Sequence, residues 1–163
     1  MRNDILIREV RVDEFESCAD VIRQSFATVA AEFDLTEQNC PTNGAFLCAE
    51  RLAADRCRGN IMAGLFVNGE PAGFAELSQK EGGAYELGKL AVLPRYRHKG
   101  YGARLLEWAR VTVRERGGNR ITIGIIEENT VLKDWYAEHG FVHTGTHIFP
   151  RLPFTVGFME LEL

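Results

Sequence analysis

The sequence predicts an α/β protein: a mixed, mostly antiparallel sheet of about seven strands with helices on both faces and one splayed parallel pair at its centre. Three observations predict it. Asn68-Gly69 between two apolar runs is a strong two-residue hairpin signal, and a hairpin makes neighbouring strands antiparallel. The stretch from Leu87 to Ile126 reads strand, helix, strand, which implies a parallel pair joined by a right-handed crossover. Finally, 163 residues at 45% apolar suffice for one well-buried core and are short for two, so residues 1–163 are expected to form a single domain.

Taken in order, Ile5 to Val10 is a first strand. Asp13 is placed to cap a helix whose Phe15, Cys18, Ala19, Ile22 and Phe26 recur every three or four residues, a core-facing stripe that runs to about Ala31. A polar break from Asp34 to Asn43 contains Pro41, and a second helix is expected after it, with Phe46, Leu47, Leu52 and Ala53 inward and an end near Gly59. Ile61 to Val67 and Pro71 to Ser78 are the arms of the hairpin, and Gly82-Gly83 turns the chain into a buried strand, Leu87 to Leu93. Pro94 ends that strand because it has no N–H to give a neighbour. The next helix starts near Gly100, with Leu105, Leu106, Trp108, Ala109, Val111 and Val113 on its apolar side and Arg104, Glu107, Arg110 and Arg114 on its wetter side. Arg120 to Ile126 alternates around Ile121, Ile123 and Ile125 as a strand. Glu127-Glu128-Asn129-Thr130 opens a short helix carrying Leu132, Trp135 and Tyr136, which Gly140 closes. Phe141 to Phe149 and Phe154 to Leu163 are the last strands, joined through Pro150-Arg151-Leu152-Pro153.

Composition narrows the function classes. No apolar run approaches the roughly eighteen residues of a membrane span, and MRNDILIREV lacks a signal-peptide core, so a soluble, cytoplasmic protein without membrane partners is expected. The formal net charge of −4 argues against nonspecific nucleic-acid binding, which depends on neutralising phosphates. Cys18, Cys40, Cys48 and Cys57 form no C-x-x-C pair and lie in apolar helical surroundings, which favours buried thiols over disulfides or a metal site. His139, His143 and His147 are evenly spaced, but Gly140 and the strand-like alternation beyond it argue against a helical ligand set.

The chemistry sits at Arg97-His98-Lys99-Gly100-Tyr101-Gly102, where two glycines meet a helix start behind three potentially cationic side chains. Residues without side chains let a phosphate approach the main chain, successive N–H groups point at it, and the positive end of the helix dipole favours its charge. The same six residues also fit a glycine-containing turn beneath a solvated basic patch. Two other phosphate motifs fail. Gly83-x-x-x-x-Gly88-Lys89 has Leu90 where a P-loop needs a hydroxyl, and Gly100-Tyr101-Gly102 is followed by Leu105 where the dinucleotide fingerprint needs its third glycine.

Arg97 through Gly102 matches the R/Q-x-x-G-x-G/A signature of the GCN5-related N-acetyltransferases (GNAT), and with the strand before it, the helix after it and a second block near Asn129, the chain resembles that family from about Tyr85 to Phe141. The resemblance implies the acyl-CoA N-acyltransferase fold and acetyl-CoA as co-substrate, with no metal. Its pyrophosphate would lie on Arg97, His98, Lys99, Gly100, Tyr101, Gly102 and Ala103. Its pantetheine arm would pair as a false strand with the main chain of Leu90, Ala91 and Val92, and would bond Asn129, a residue equally suited to capping the helix behind it.

Acyl transfer from a thioester to an amine needs an oxyanion donor, a base for the ammonium proton and an acid for the departing thiolate. The resemblance assigns the Leu90 N–H to the first role and Tyr136 to the third, with packing as the alternative for Tyr136. Glu86 corresponds to the catalytic glutamate of the histone-acetylating branch, although a solvated strand-end glutamate reads the same way; Glu127, Glu76 and His98 are further candidates for the base. The resemblance also implies that the acceptor, a primary amine of a small molecule or peptide, enters between residues 25–45 and 147–156, where Glu32, Asp34 and Glu37 suit a cation. The resemblance leaves room for a homodimer. A binding or sensor module that kept the cofactor cleft and lost turnover is the rival reading.

Overall fold

The computed structural model describes residues 3–163. Seven strands, β1 (Ile5–Glu9), β2 (Ile61–Val67), β3 (Glu70–Gln79), β4 (Ala84–Val92), β5 (Arg120–Ile126), β6 (Val142–Ile148) and β7 (Thr155–Glu162), form one sheet in the order β1-β2-β3-β4-β5-β7-β6. Four α-helices, α1 (Phe15–Glu32), α2 (Ala49–Cys57), α3 (Tyr101–Glu115) and α4 (Thr130–Glu138), lie between them. Among the described residues β4 and β5 are the parallel pair and the other neighbours are antiparallel. The predicted sheet and its central parallel pair are the ones observed.

Alternation along the strands feeds two cores. On one face Leu77, Leu87, Ile121, Ile123 and Met159 pack with Leu105, Leu106 and Val113 of α3 and Tyr136 of α4. On the other, Met62, Phe74 and Ala91 pack with Phe15, Cys18 and Ile22 of α1 and Leu52 of α2. Each large apolar side chain buried this way contributes about 1.5–3 kcal/mol relative to exposure. No helix among the described residues is long and apolar enough to cross a membrane.

Several boundaries differ from the sequence reading, each for a local reason. Asp13 is not the cap of α1: Val12–Glu14 forms a 3-10 turn, and Glu14 takes the cap position without capping the helix through its side chain. Its carboxylate accepts instead from the Arg11 N–H at 2.8 Å and from both Arg8 amino groups at 2.8 and 2.7 Å. Phe46 and Leu47 precede the second helix, because Asn43 caps a separate 3-10 turn, Gly44–Phe46, and α2 begins at Ala49. The central strand starts at Ala84 instead of Leu87, since Ala84 already aligns with Arg120 of β5. Val111 is exposed: two residues from Ala109, it stands about 200° round the helix from the buried side. Cys18 and Cys40 are buried thiols as expected, whereas Cys48 and Cys57, at the two ends of α2, are exposed.

The Arg8 contacts hold the Glu14 carboxyl at about 2, well below the usual carboxylate range. A carboxylate depressed on folding stabilises fully above its unfolded value of about 4.3, and that contribution is lost as the pH falls from there through about 2. Glu14→Gln is therefore expected to lower the Tm at about pH 7, with the gap to the unmodified protein closing as the pH falls from about 5 toward 2. Thermal melts across that range check it, and a constant gap would count against the Arg8 pairing.

Candidate active site

A strand presents its N–H groups alternately to its two neighbours, and β4 changes which set goes where. Near its start the Ala84 carbonyl accepts from Lys80 at 2.8 Å, so even-numbered residues face β3 there. Just beyond its end the Leu93 N–H donates to Ala72 at 2.8 Å, so odd-numbered residues face β3 there. The change is made by a bulge: between the pairs Glu76–Gly88 and Phe74–Ala91, β3 has Ala75 alone while β4 has Lys89 and Leu90. Lys89 takes φ 52°, left-handed backbone that costs a side-chain-bearing residue about 1–2 kcal/mol. The result is that the N–H groups of Leu90 and Val92 turn away from β3.

They turn into a wedge. β4 aligns with β5 only from Ala84–Arg120 to Glu86–Thr122, while β4 stays with β3 to Val92 and β5 stays with β7 to Ile126. Past Glu86 the two parallel strands diverge, leaving backbone groups for an extended ligand. The Val92 N–H meets the Ser25 hydroxyl of α1 at 3.3 Å.

Above the wedge, the chain from β4 reaches α3 through the 3-10 turn Pro94–Tyr96 and the left-handed residues His98 and Gly100, at φ 62° and 80°. The first intrahelical bond runs from Arg104 to Gly100 at 3.2 Å and α3 has no side-chain cap, so the N–H groups of Tyr101, Gly102 and Ala103 are open to a ligand. The two glycines have separate reasons. Gly100 needs its positive φ and has open space before it, whereas a Cβ on Gly102 would stand 3.1 Å from Trp135 Cζ2 of α4. His98 and Lys99 are exposed, while Tyr101 points its ring into the core and offers only its backbone. Arg97 is not a free cation: its Nη2 donates to the Ser25 carbonyl at 2.8 Å, tying the loop to α1.

From the β5 side, Asn129 caps α4, its Oδ1 accepting from the Leu132 N–H at 3.2 Å. Its Nδ2 makes no hydrogen bond among the described residues and is not enclosed. Tyr136 is buried, edge-on to Trp135 and Phe141 at ring distances of 5.0 and 5.2 Å. Burial pushes its phenol well above the usual range. Its hydroxyl has no partner among the described residues, yet is not among the enclosed atoms, so it opens onto a surface.

Of the candidate bases, Glu86 is exposed on the α1/α2 face, aligned with Ser78 and Thr122 and without an ion pair among the described residues. Glu127 is bonded to Lys133 and to His143, at 2.9 Å for the latter, and these contacts hold its carboxyl below the usual range. Glu76 is buried against Lys89 and Asn60, which leaves it no approach to an amine. The two segments flanking the expected acceptor path pack together: Ala30, Leu35 and Cys40 cluster with Ile126 at the end of β5 and with Leu152 and Phe154, and Glu32, Asp34 and Glu37 are exposed beside them. A broad depression of about 940 Å³, lined by Arg58, Asn60, Lys80, Arg120 and Thr122 among others, lies at the opposite end of β4 from the α3 loop.

Two features escaped sequence reading. Ser25 falls within the first helix but outside the apolar stripe read from the sequence, so nothing marked it. Lys89, with Asp55 and Glu76, forms a buried ionic cluster in which burial raises Glu76, whereas Lys89 brings Asp55 below its usual range against the upward push of its own burial. The signal for it was present: Lys89 and Glu76 are lone charges inside the apolar runs LGKLAV and GFAEL.

Splayed parallel strands leading to an uncapped, glycine-opened helix N-terminus set unpaired backbone N–H groups along one line of the surface. The chain belongs to the acetyltransferase (GNAT) family, a family of acyltransferases, whose model matches residues 26–141. It is 26% identical over 156 residues to an uncharacterised N-acetyltransferase from the pepI 3′ region of Lactobacillus delbrueckii subsp. lactis, covering 88% of each chain. Its fold is similar to that of the PaiA N-acetyltransferase of Thermoplasma acidophilum, solved with coenzyme A, at TM-score 0.79 and 22% identity over 98% of this chain and 99% of that one. It is also similar to YncA, a putative acetyltransferase of Salmonella typhimurium solved with acetyl-CoA, at TM-score 0.73 and 20% identity over 98% and 94% of the two chains.

Because Gly100 sits at φ 80° with nothing near its Cβ position, Gly100→Ala is expected to lose about 1 kcal/mol of stability through backbone strain alone. Urea denaturation measures it, and an unchanged midpoint would show that the loop adopts another conformation.

Proposed function

We propose that this protein is an acetyl-CoA-dependent N-acetyltransferase that transfers the acetyl group directly to a primary amine of a small molecule or peptide. The observation that carries the reading is the wedge: two main-chain N–H groups of β4 turned into the gap left by β5, in line with the open N-terminus of α3. Relatives bearing the N-acetyltransferase name, and folds solved with coenzyme A or acetyl-CoA, support the same donor.

Bound acetyl-CoA supplies the thioester. The N–H groups of Tyr101, Gly102 and Ala103 hold the pyrophosphate with the helix dipole, helped by the exposed His98 and Lys99, and Arg97 fixes the loop to α1. The N–H of Val92 exchanges the Ser25 hydroxyl for the donor's amide-bearing arm, and Asn129 Nδ2 meets that arm from the β5 side. The Leu90 N–H stabilises the oxyanion, Glu86 takes the amine proton directly or through water, and Tyr136 returns a proton to the thiolate.

Free-thiol release from acetyl-CoA against a panel of amines tests the function. Acetyl-CoA should also stabilise the fold by mass action, by about 2.7 kcal/mol at a hundredfold excess over Kd, and so raise the Tm, and Gly102→Glu should abolish the rise by placing a carboxylate among the anion-binding N–H groups. A persistent shift with no amine-dependent release would favour the binding or sensor module.

The acid and base are tested by rate. Tyr136→Phe removes a hydroxyl that has no internal partner, so it should leave stability within about 0.5 kcal/mol and lower kcat about 10- to 1000-fold. Glu86→Gln should slow a strongly basic acceptor more than a weakly basic one, which needs less help to become neutral. Equal, undiminished rates for both acceptors would remove Glu86 from the mechanism.

A further inference from the structure

Two carboxylates and an ammonium lie together where α2 meets the middle of the sheet. Asp55 of α2 and Glu76 of β3 are 1% and 5% exposed, and Lys89 Nζ stands 2.9 Å from Asp55 Oδ2 and 2.9 Å from Glu76 Oε2. Asn60 donates to the same Glu76 oxygen at 3.1 Å, Arg51 and Arg58 reach Asp55 from the solvent side, and Glu76 Oε1 is enclosed without a partner. Such a cluster adds little net stability over apolar residues of the same volume, because both partners are stripped of water to form it. Its position supplies another reason for it.

Lys89 is the bulge residue of β4, the one strand-interior residue among the described non-glycines held at positive φ. A residue stays in that region only where its surroundings over-determine it, and an ammonium fixed by carboxylates from two different elements does so. The bulge in turn decides the direction of the next N–H. If Lys89 relaxed to extended backbone, the alternation along β4 would no longer be reset, and the Leu90 N–H would swing toward the β3 ladder at Phe74.

The geometry points to Lys89 as a positioning residue for acyl transfer: held by Asp55 and Glu76, it fixes the bulge that aims the Leu90 N–H at the carbonyl oxygen of the acyl donor. This rests on the acetyl-transfer reading. Lys89 acts through Leu90 and does not touch the donor.

Lys89→Met tests it, because methionine keeps the stem and the cost of the positive φ but has no ammonium to hold it there. The combined variant Asp55→Asn, Glu76→Gln, Lys89→Met removes all three charges at nearly constant volume and carries the same expectation should Lys89→Met alone not fold. The readouts are kcat, affinity for coenzyme A, which has no acyl carbonyl, and the isotope-edited infrared stretch of the bound acetyl-CoA carbonyl. The expected result is a loss of about 10- to 100-fold in kcat, a carbonyl stretch returned toward its value in free solution, and coenzyme A affinity within about twofold of the unmodified protein. An unchanged stretch and kcat in a folded variant overturn the proposal. So does a parallel loss of coenzyme A binding and rate, or failure of both variants to fold, since either makes the cluster a purely structural element. If the unmodified protein neither binds acetyl-CoA nor perturbs its carbonyl, the acetyl-transfer reading itself falls and takes this inference with it.

Discussion

A strand inside a sheet has no backbone hydrogen bonds to spare, since every second residue is committed to each neighbour. For the proposed transfer, β4 must remain bonded to β3 along its length and yet offer its own N–H groups to a ligand on the other side. Divergence of β5 past Glu86 frees one set of groups, those of Leu87 and Lys89 if the alternation ran on unchanged, and the single extra residue at Lys89 turns those of Leu90 and Val92 into the gap instead. The features of the site that need an address in the sequence follow from that shift. Gly100 and Gly102 lie on the continuation of the strand, and Glu86 lies at the last residue pair before the wedge opens.

β5 is held away by contacts on its far side. Its ladder with β7 runs unbroken to Ile126–Val156, and the Glu127 N–H extends it to the Thr155 carbonyl at 2.9 Å. The Glu127 side chain lies over Gly157, where any Cβ would collide with it, and Glu128 accepts from the Thr155 N–H at 3.3 Å. The chain then turns at Asn129 into α4. That helix closes the wedge from above by packing Trp135 on Gly102 and by taking a hydrogen bond from Arg110 of α3 at the His139 carbonyl. The two strands therefore separate at one level and are joined again at the next by α3 and α4, so the gap is a feature of a rigid frame.

What could be read from the sequence was whatever local residue type determines. Asn68-Gly69 specifies its hairpin, Pro94 ends its strand, and the Leu105-Ala109-Val113 stripe fixes which side of α3 is buried, each without reference to the rest of the fold. The same logic located the glycine-opened start of α3. It failed where the deciding contact is remote: Asp13 looked like a cap, but Arg8 of β1 reached Glu14; Arg97 looked like a solvated cation, but Ser25 lies 72 residues away along the chain and beside it in space. The bulge at Lys89 is the clearest case. Nothing in LGKLAV demands a left-handed lysine, and only the arrival of Asp55 and Glu76 from other elements makes that conformation the stable one.

Burial of Tyr136 looks at first like an argument against a catalytic acid, because a phenol whose ionisation is suppressed is a weak proton donor. The donor's tendency has to be set against the acceptor's. A thiolate leaving in the same apolar place meets the same loss of solvation, and this chain shows the size of the effect at Cys18, whose thiol burial pushes up to about 12. In water a phenol and a thiol differ by only about 1.5 units, and burial that raises both leaves that difference nearly intact while making either free anion costly. In the proposed mechanism, proton transfer from Tyr136 to the thiolate moves one negative charge between two poorly solvated atoms, so burial alone neither drives the step nor forbids it. The apolar setting that makes Tyr136 a weak acid toward water is therefore compatible with its proposed role toward a sulfur beside it, and because either free anion is costly there it favours transfer during bond cleavage over transfer afterwards.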